Sequence, residues 1–294
     1  MLHGGLTAVE PRWTTVEPYP SGLEQDGLSN PNGLDTTKYT ANEQSKPGQF
    51  PWVVALFDKD KYFAGGSLIR TDVVLTAAHK VENRNANYIV VRAGEWDMGC
   101  KTESFSYEER QAYEITKHEN FHYRTGANNV ALLFLTSPFD LKDHIRTIPI
   151  PTPGNLYDGR RCTVAGWGKT TVGDLDNSNI LKKFELPILK RDQCELQLRR
   201  TRLGWHYRLP ESLICAGGEP GKDACLGDGG SPLFCPAEQS DRYEQVGIVS
   251  WGMGCGLDGV PGTYTNVAVF NEWINKKMIP FIYRLGQGTV SPVR

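Results

Sequence analysis

The chain has 294 residues, with 32 Lys and Arg against 34 Asp and Glu and a net charge of −2. That length allows one large domain or two ordinary ones, and the near-neutral balance argues against a general nucleic-acid or anionic-membrane binder, whose footprint is a basic excess. Charged residues at 22% and aromatics at 10% exclude a disordered composition, and no run of 18 apolar residues offers a membrane span.

Residues 1–38 are poor in aliphatics and rich in Pro, Gly, Glu, Thr and Asn, as in Val16-Glu17-Pro18-Tyr19-Pro20. They show no helical or strand period and read as an extended, flexible segment. The start, Met1-Leu2-His3-Gly4-Gly5-Leu6, lacks the basic and apolar regions of a signal peptide. Seven cysteines and 31 glycines nonetheless suit an extracellular β-protein, and an odd cysteine count leaves at least one thiol without a mate in the chain.

The folded part is expected over residues 39–279, with its first strong apolar run at Phe50–Phe57 and a C-terminal tail over 280–294. Short β-rich runs recur between turn residues: Gly66–Ile69, Val73–Thr76, Tyr88–Arg92, Val130–Leu135, Cys162–Ala165, Val246–Val249 and Gly262–Asn266. This spacing predicts an all-β antiparallel sandwich or barrel. Two helices are predicted, over Arg191–Arg200 and Val269–Met278. The second is expected to bury a face containing Val269 and Trp273.

Several motifs carry chemistry. Thr76-Ala77-Ala78-His79 follows an apolar strand. Asn129-Val130-Ala131-Leu132-Leu133 comes next, then Gly166-Trp167-Gly168, Gly227-Asp228-Gly229-Gly230-Ser231-Pro232-Leu233 and Ser250-Trp251-Gly252. A lone histidine in a loop is ordinarily structural. A histidine, an Asx-opened apolar strand and a Gly-Asp-x-Gly loop in this order match the chain order of one kind of catalytic triad. Zinc or dinucleotide spacings are absent, and no metal or cofactor is expected. A Ca²⁺ loop around Glu95 to Glu109 is conceivable, but its acid spacing is not distinctive.

In these motifs, residues 50 to about 279 resemble the chymotrypsin/trypsin-like serine protease family. The resemblance implies two perpendicular six-stranded antiparallel β-barrels closed by a C-terminal helix. Asn30-Pro31-Asn32-Gly33-Leu34, Gly94-Glu95-Trp96-Asp97 and Thr201-Arg202-Leu203-Gly204 are similar, more narrowly, to the non-catalytic arthropod homologues of clip-domain proteases. A clip domain itself is missing, because residues 1–38 lack its cysteines.

The resemblance assigns His79 as the general base. The acid that orients such a base is here Asn129, and the nucleophilic serine is here Gly229. The same Asp-to-Asn exchange lowers turnover by about 10⁴ in a well-studied serine protease. Ser231 is no replacement: two residues along an extended chain is roughly 6–7 Å, whereas attack needs about 3–3.5 Å. It is expected to be a structural turn residue. Gly227 and Asp228 belong to the oxyanion loop.

Asp223, Ser250, Gly252 and Gly262 match the pocket that takes Lys or Arg in trypsin-like members. Two readings stay open: a retained cation site, or a relic with Asp223 solvated or paired with a neighbour such as Lys222. Active relatives pair the acid corresponding to Asp228 with a new chain terminus. Here the segment that would supply it is Lys38-Tyr39-Thr40-Ala41, and Tyr39 is a poor plug for that pocket, so Asp228 is expected not to receive a terminal amine.

The resemblance also implies three disulfides, Cys162–Cys235, Cys194–Cys215 and Cys225–Cys255. Two further family bridges lack both ends, at Ala64 with Lys80 and at Asp26 with Pro149. Cys100 is left over, either an incidental thiol or the link of a disulfide-bonded dimer. The expected function is that of a secreted pseudo-protease, a binding or regulatory module in an immune or melanisation-type cascade. Its partner would be an active protease or that protease's substrate. The competing class is an active trypsin-like endopeptidase cleaving after Lys or Arg.

Overall fold

A computed structural model describes residues 25–100, 103–238 and 240–286 of the chain. Twelve strands form two closed antiparallel barrels. The first contains β1 (Val53–Asp58), β2 (Lys61–Arg70), β3 (Val73–Thr76), β4 (Ile89–Ala93), β5 (Glu108–Lys117) and β6 (Ala131–Leu135), in the order β1-β2-β3-β6-β5-β4. The second contains β7 (Arg161–Gly166), β8 (Lys182–Leu189), β9 (Leu213–Gly217), β10 (Pro232–Pro236), β11 (Tyr243–Trp251) and β12 (Pro261–Asn266), in the order β10-β11-β12-β9-β8-β7. Closure removes the exposed edges that open sheets must protect. Helix α1 (Ala78–Val81) is one turn after β3, α2 (Arg191–Arg199) links β8 to β9, and α3 (Asn271–Gly286) ends the described chain.

The apolar runs of β3 and β6 are continuous because both faces of these strands are buried. Val74, Ala131, Leu133 and Leu135 point into the first barrel with Leu56, Leu68 and Val91. Val73, Leu75, Leu132 and Phe134 point outward and meet Phe270, just before α3, and Ile274 and Met278 of α3. Val164, Phe184, Leu186, Leu233, Val246 and Tyr264 fill the second barrel. Where the barrels meet, Trp52 and Phe234 pack edge to face with centroids 5.1 Å apart, beside Phe50 and Trp167.

Three expectations are corrected. The buried residues here are Phe270, in the turn just before α3, and Ile274 and Met278 of α3; Trp273 packs against them partly buried and donates its indole N–H to Glu119, whereas Val269 is 55% exposed. The buried residues follow the outward face of β3 and β6, which the helix sequence alone does not reveal. The helix also continues to Gly286, beyond the predicted boundary at residue 279. Pro280 deletes one backbone donor but does not end the helix.

Thirdly, residues 25–38 are laid onto the body of the protein. The Gly27 N–H donates to Thr147 O (2.9 Å), and its carbonyl accepts from the Tyr243 N–H (2.8 Å). Gly27 has φ +73°, and a Cβ there would meet Tyr243 O at 2.4 Å, so only glycine fits. The segment docks because two backbone groups and the Asn30 amide, which donates to Gly48 O, find partners. The remainder of the predicted N-terminal segment, residues 1–24, lies outside the described residues, as does the end of the predicted tail.

The three disulfides occur as the resemblance implied: Cys162–Cys235, Cys194–Cys215 and Cys225–Cys255, spanning 73, 21 and 30 residues. Bridges over loops of such lengths each contribute about 2–4 kcal/mol. Cys100 lies outside all three.

Candidate functional site

His79 sits on the single turn α1 after β3, Asn129 lies two residues before β6, and Gly229 lies three before β10. Barrel closure brings these three loops together. His79, Gly227, Gly229, Asp223, Ser250, Gly252 and Gly262 line one cavity of ≈ 300 Å³, and Cys225 and Cys255 are in its walls. His79, Asn129 and Ser250 also line an adjoining hollow with Tyr123, Arg202 and Trp251. The predicted residues thus converge, except Asp228, which is buried beneath the cavity wall.

The orientation of Asn129 decides what His79 can do. The backbone N–H of His79 donates to Asn129 Oδ1 at 2.9 Å, which fixes the carboxamide the right way round. Asn129 Nδ2 then lies 2.8 Å from His79 Nδ1 and 2.8 Å from Ser250 Oγ. Nδ1 accepts this amide hydrogen, so the neutral ring carries its own proton on Nε2. Nε2 is therefore a donor, where a general base needs a lone pair. The imidazole pKa is lowered to about 4, first by burial and then by the charge of Lys80. A neutral carboxamide offers the imidazolium no opposing charge.

Nε2 faces Gly229. A Cβ built on Gly229 would lie 3.1 Å from Nε2 and 3.0 Å from Lys80 Cδ. This is the spot from which a side-chain oxygen could bond the imidazole, and it holds no side chain. Gly229 does not occupy the left-handed region, so the backbone itself does not require glycine there. Gly230 differs: with φ +89°, a Cβ would strike Thr76 Oγ1 at 2.4 Å. Ser231 is fully buried and absent from the cavity lining, with its Oγ where a Cβ on Gly65 or Gly166 would fall. It is a packing residue, as expected.

Asp228 is 3% exposed. Its Oδ1 accepts the Gly168 N–H (2.7 Å) and its Oδ2 the Cys225 N–H (2.9 Å). The charge is met by Lys182 Nζ at 3.3 Å, which also donates to Lys169 O at 2.6 Å. No terminal amine is expected at Asp228 from the sequence, and the part played by Lys182 is not legible there. The lysine stands 46 residues away at the start of β8, where the Gly166–Lys182 pairing of β7 with β8 turns it inward. Tyr39 is 93% exposed.

Asp223 is buried, with Oδ2 accepting the Gly256 N–H at 3.2 Å and Oδ1 lacking a protein partner. Burial raises its pKa to about 7. No ion pair joins it to Lys222 among the described residues. Lys80, read from sequence only as one end of a missing bridge, lines the cavity beside His79. Around the suggested Ca²⁺ loop, Arg92 binds both Glu95 and Glu109.

The comparisons agree with this architecture. The trypsin family model matches residues 40–274. Phenoloxidase-activating factor 2 of Galleria mellonella is 42% identical over 281 residues, covering 89% of this chain and 92% of that protein. The inactive CLIP domain-containing serine protease A28 of Anopheles gambiae is 36% identical, covering 90% and 70%. Protein masquerade of Drosophila melanogaster is 36% identical, covering 88% of this chain and 25% of its own length. With two six-stranded barrels, three family disulfides and a match over most of its length, the chain belongs to the trypsin family.

Proposed function

We propose that this chain is a secreted, catalytically inert member of the trypsin family that works as a binding or regulatory module in an extracellular proteolytic cascade of the immune, melanisation type. The observation that carries this reading is the pairing of Gly229 with an imidazole whose Nδ1 accepts the Asn129 amide. Covalent acyl transfer needs a side-chain nucleophile, and general-base activation needs a lone pair on Nε2. Neither is present. The backbone donors of the loop alone leave only weak catalysis over water.

What remains is a receptor. Asp223 at the cavity wall, opposite small residues Gly252 and Gly262, suits a Lys or Arg side chain of a protein partner, either an active protease or its substrate. The relatives, one named an activating factor and another an inactive protease, support a cascade role, and the three disulfides fit an extracellular setting.

The test is reaction of the secreted protein with a fluorophosphonate serine probe, together with turnover of an Arg-containing peptide substrate. No labelling and no turnover are expected. Labelling at Ser231, or turnover that disappears in His79→Ala, overturns the proposal in favour of an active endopeptidase.

A further inference from the structure

The vacated catalytic centre is lined by hydrogen-bond donors. His79 Nε2 carries a proton because Asn129 Nδ2 occupies Nδ1. Lys80 extends alongside, its Cδ 3.0 Å from where a Cβ of residue 229 would be. Its Nζ makes no hydrogen bond or ion pair among the described residues. The N–H groups of Gly227 and Gly229, both in the cavity lining, are not donated to any protein acceptor in those residues either. A nucleophilic centre would hold an oxygen and a basic nitrogen here. This one places a cation and three N–H donors in the lining of one cavity, with His79 Nε2 and Lys80 Cδ beside the spot where a side chain of residue 229 would begin.

The same cavity contains a carboxylate. Asp223 Oδ1 is buried and has no protein partner. It does not pair with Lys80, so a cation and an anion are held apart within one cavity of ≈ 300 Å³. A ligand that satisfies both must carry a positive side chain and a negative main-chain group on one residue. An arginine or lysine inside a chain fails this, since it presents a neutral peptide carbonyl. The same residue at a free C-terminus meets it, because its α-carboxylate accepts charge-assisted hydrogen bonds from every donor named.

We propose that the cleft captures the free C-terminal arginine or lysine of a cleaved protein. The side-chain cation pairs with Asp223, and the α-carboxylate lies among Lys80 Nζ, His79 Nε2 and the Gly227 and Gly229 N–H groups. This rests on the reading of Asp223 as a cation receptor, and it names the ligand: a product of cleavage after a basic residue, not an intact substrate. Gly229 is part of the receptor, because a side chain there would fill the carboxylate's place.

The experiment compares two N-terminally dye-labelled peptides, Ala-Ala-Arg with a free carboxylate and the same peptide amidated, by fluorescence anisotropy at pH 8. The free acid is expected to bind at least about tenfold tighter. Lys80→Met should bring the two peptides to within about threefold, Lys80→Arg should keep most of the preference, and Asp223→Asn should weaken both peptides. Near-ultraviolet circular dichroism checks that each variant is folded. Equal binding of acid and amide by the wild type overturns the carboxylate receptor and leaves the cation pocket standing. Failure of both peptides to bind at millimolar concentration overturns both. An undiminished preference in Lys80→Met overturns the role given to Lys80.

Discussion

Replacing Lys182 by methionine tests how the cleft wall is held. The two side chains are each 4% exposed and 3.3 Å apart, so the pair is screened from water. Removing one partner of a buried ion pair typically costs about 3–5 kcal/mol, because the other charge is left uncompensated. Asp228 keeps two backbone N–H donors, from Gly168 and Cys225, which places the expected loss near the lower figure, about 3 kcal/mol. Methionine fills most of the lysine volume, so little of the loss comes from a cavity. Urea unfolding with the disulfides intact, followed by tryptophan fluorescence, measures the change. The double variant Lys182→Met with Asp228→Asn removes both charges and should recover at least about half of the loss. Cys225, Gly227 and Gly229 line the cavity, so the single variant should also bind the cationic probe benzamidine more weakly. Because the cation is internal, cutting the chain after Lys38 should alter neither quantity. A loss below about 1 kcal/mol, or purely additive single and double variants, would refute the assignment of Lys182 as the partner that holds this loop.

Three further outcomes follow from the same geometry. Gly229→Ser should be accommodated by a small shift of Lys80 but show no labelling by a fluorophosphonate probe, since Nε2 is already protonated; adding Asn129→Asp should restore labelling, and failure of the double variant would refute the tautomer argument. The His79 imidazole should titrate with a midpoint near 4 by NMR. Its folded value is below the unfolded 6.5, so the unfolded state binds the proton first. The stabilising contribution is complete above about 6.5 and is lost as pH falls toward 4, up to about 3 kcal/mol in total; in Asn129→Asp the midpoint should rise. Asp223, raised to about 7, must ionise to hold a cation. Benzamidine affinity should therefore rise from pH 5 to 8 with proton release on binding, and calorimetry in buffers of different ionisation enthalpy would show a pH-independent affinity if Asp223 were not the receptor.

Much of the fold was legible because its signals are local. Val73–Thr76 and Val130–Leu135 read as strands from their continuous apolar character, and α2 was placed within one residue. Strand β5, Glu-Glu-Arg-Gln-Ala-Tyr-Glu-Ile-Thr-Lys, was missed: only Ala112 on it is buried, so it lacks the alternation that marks a half-buried strand. Strand β8 was missed as well, although Lys182, Phe184, Leu186 and Ile188 do alternate inward, because a lysine opens its buried face. A lysine in that position signals solvent unless its partner is known.

The order of the motifs and the identity of the residues at positions 79, 129 and 229 are properties of the chain alone, since each is a matter of which residue stands where. The state of the site is not. The carboxamide of Asn129 is set by a backbone N–H 50 residues away, and through it the tautomer of His79. The charge of Asp228 is met across 46 residues by Lys182, and Lys80 lines the cleft with its Cδ 3.0 Å from where a Cβ of residue 229 would lie. Hydrogen-bond direction and charge pairing depend on distances of a few ångströms between segments far apart in sequence. Only the closure of both barrels brings those segments within reach, and so only the folded molecule gathers His79, Asn129, Lys80 and Gly229 into one site.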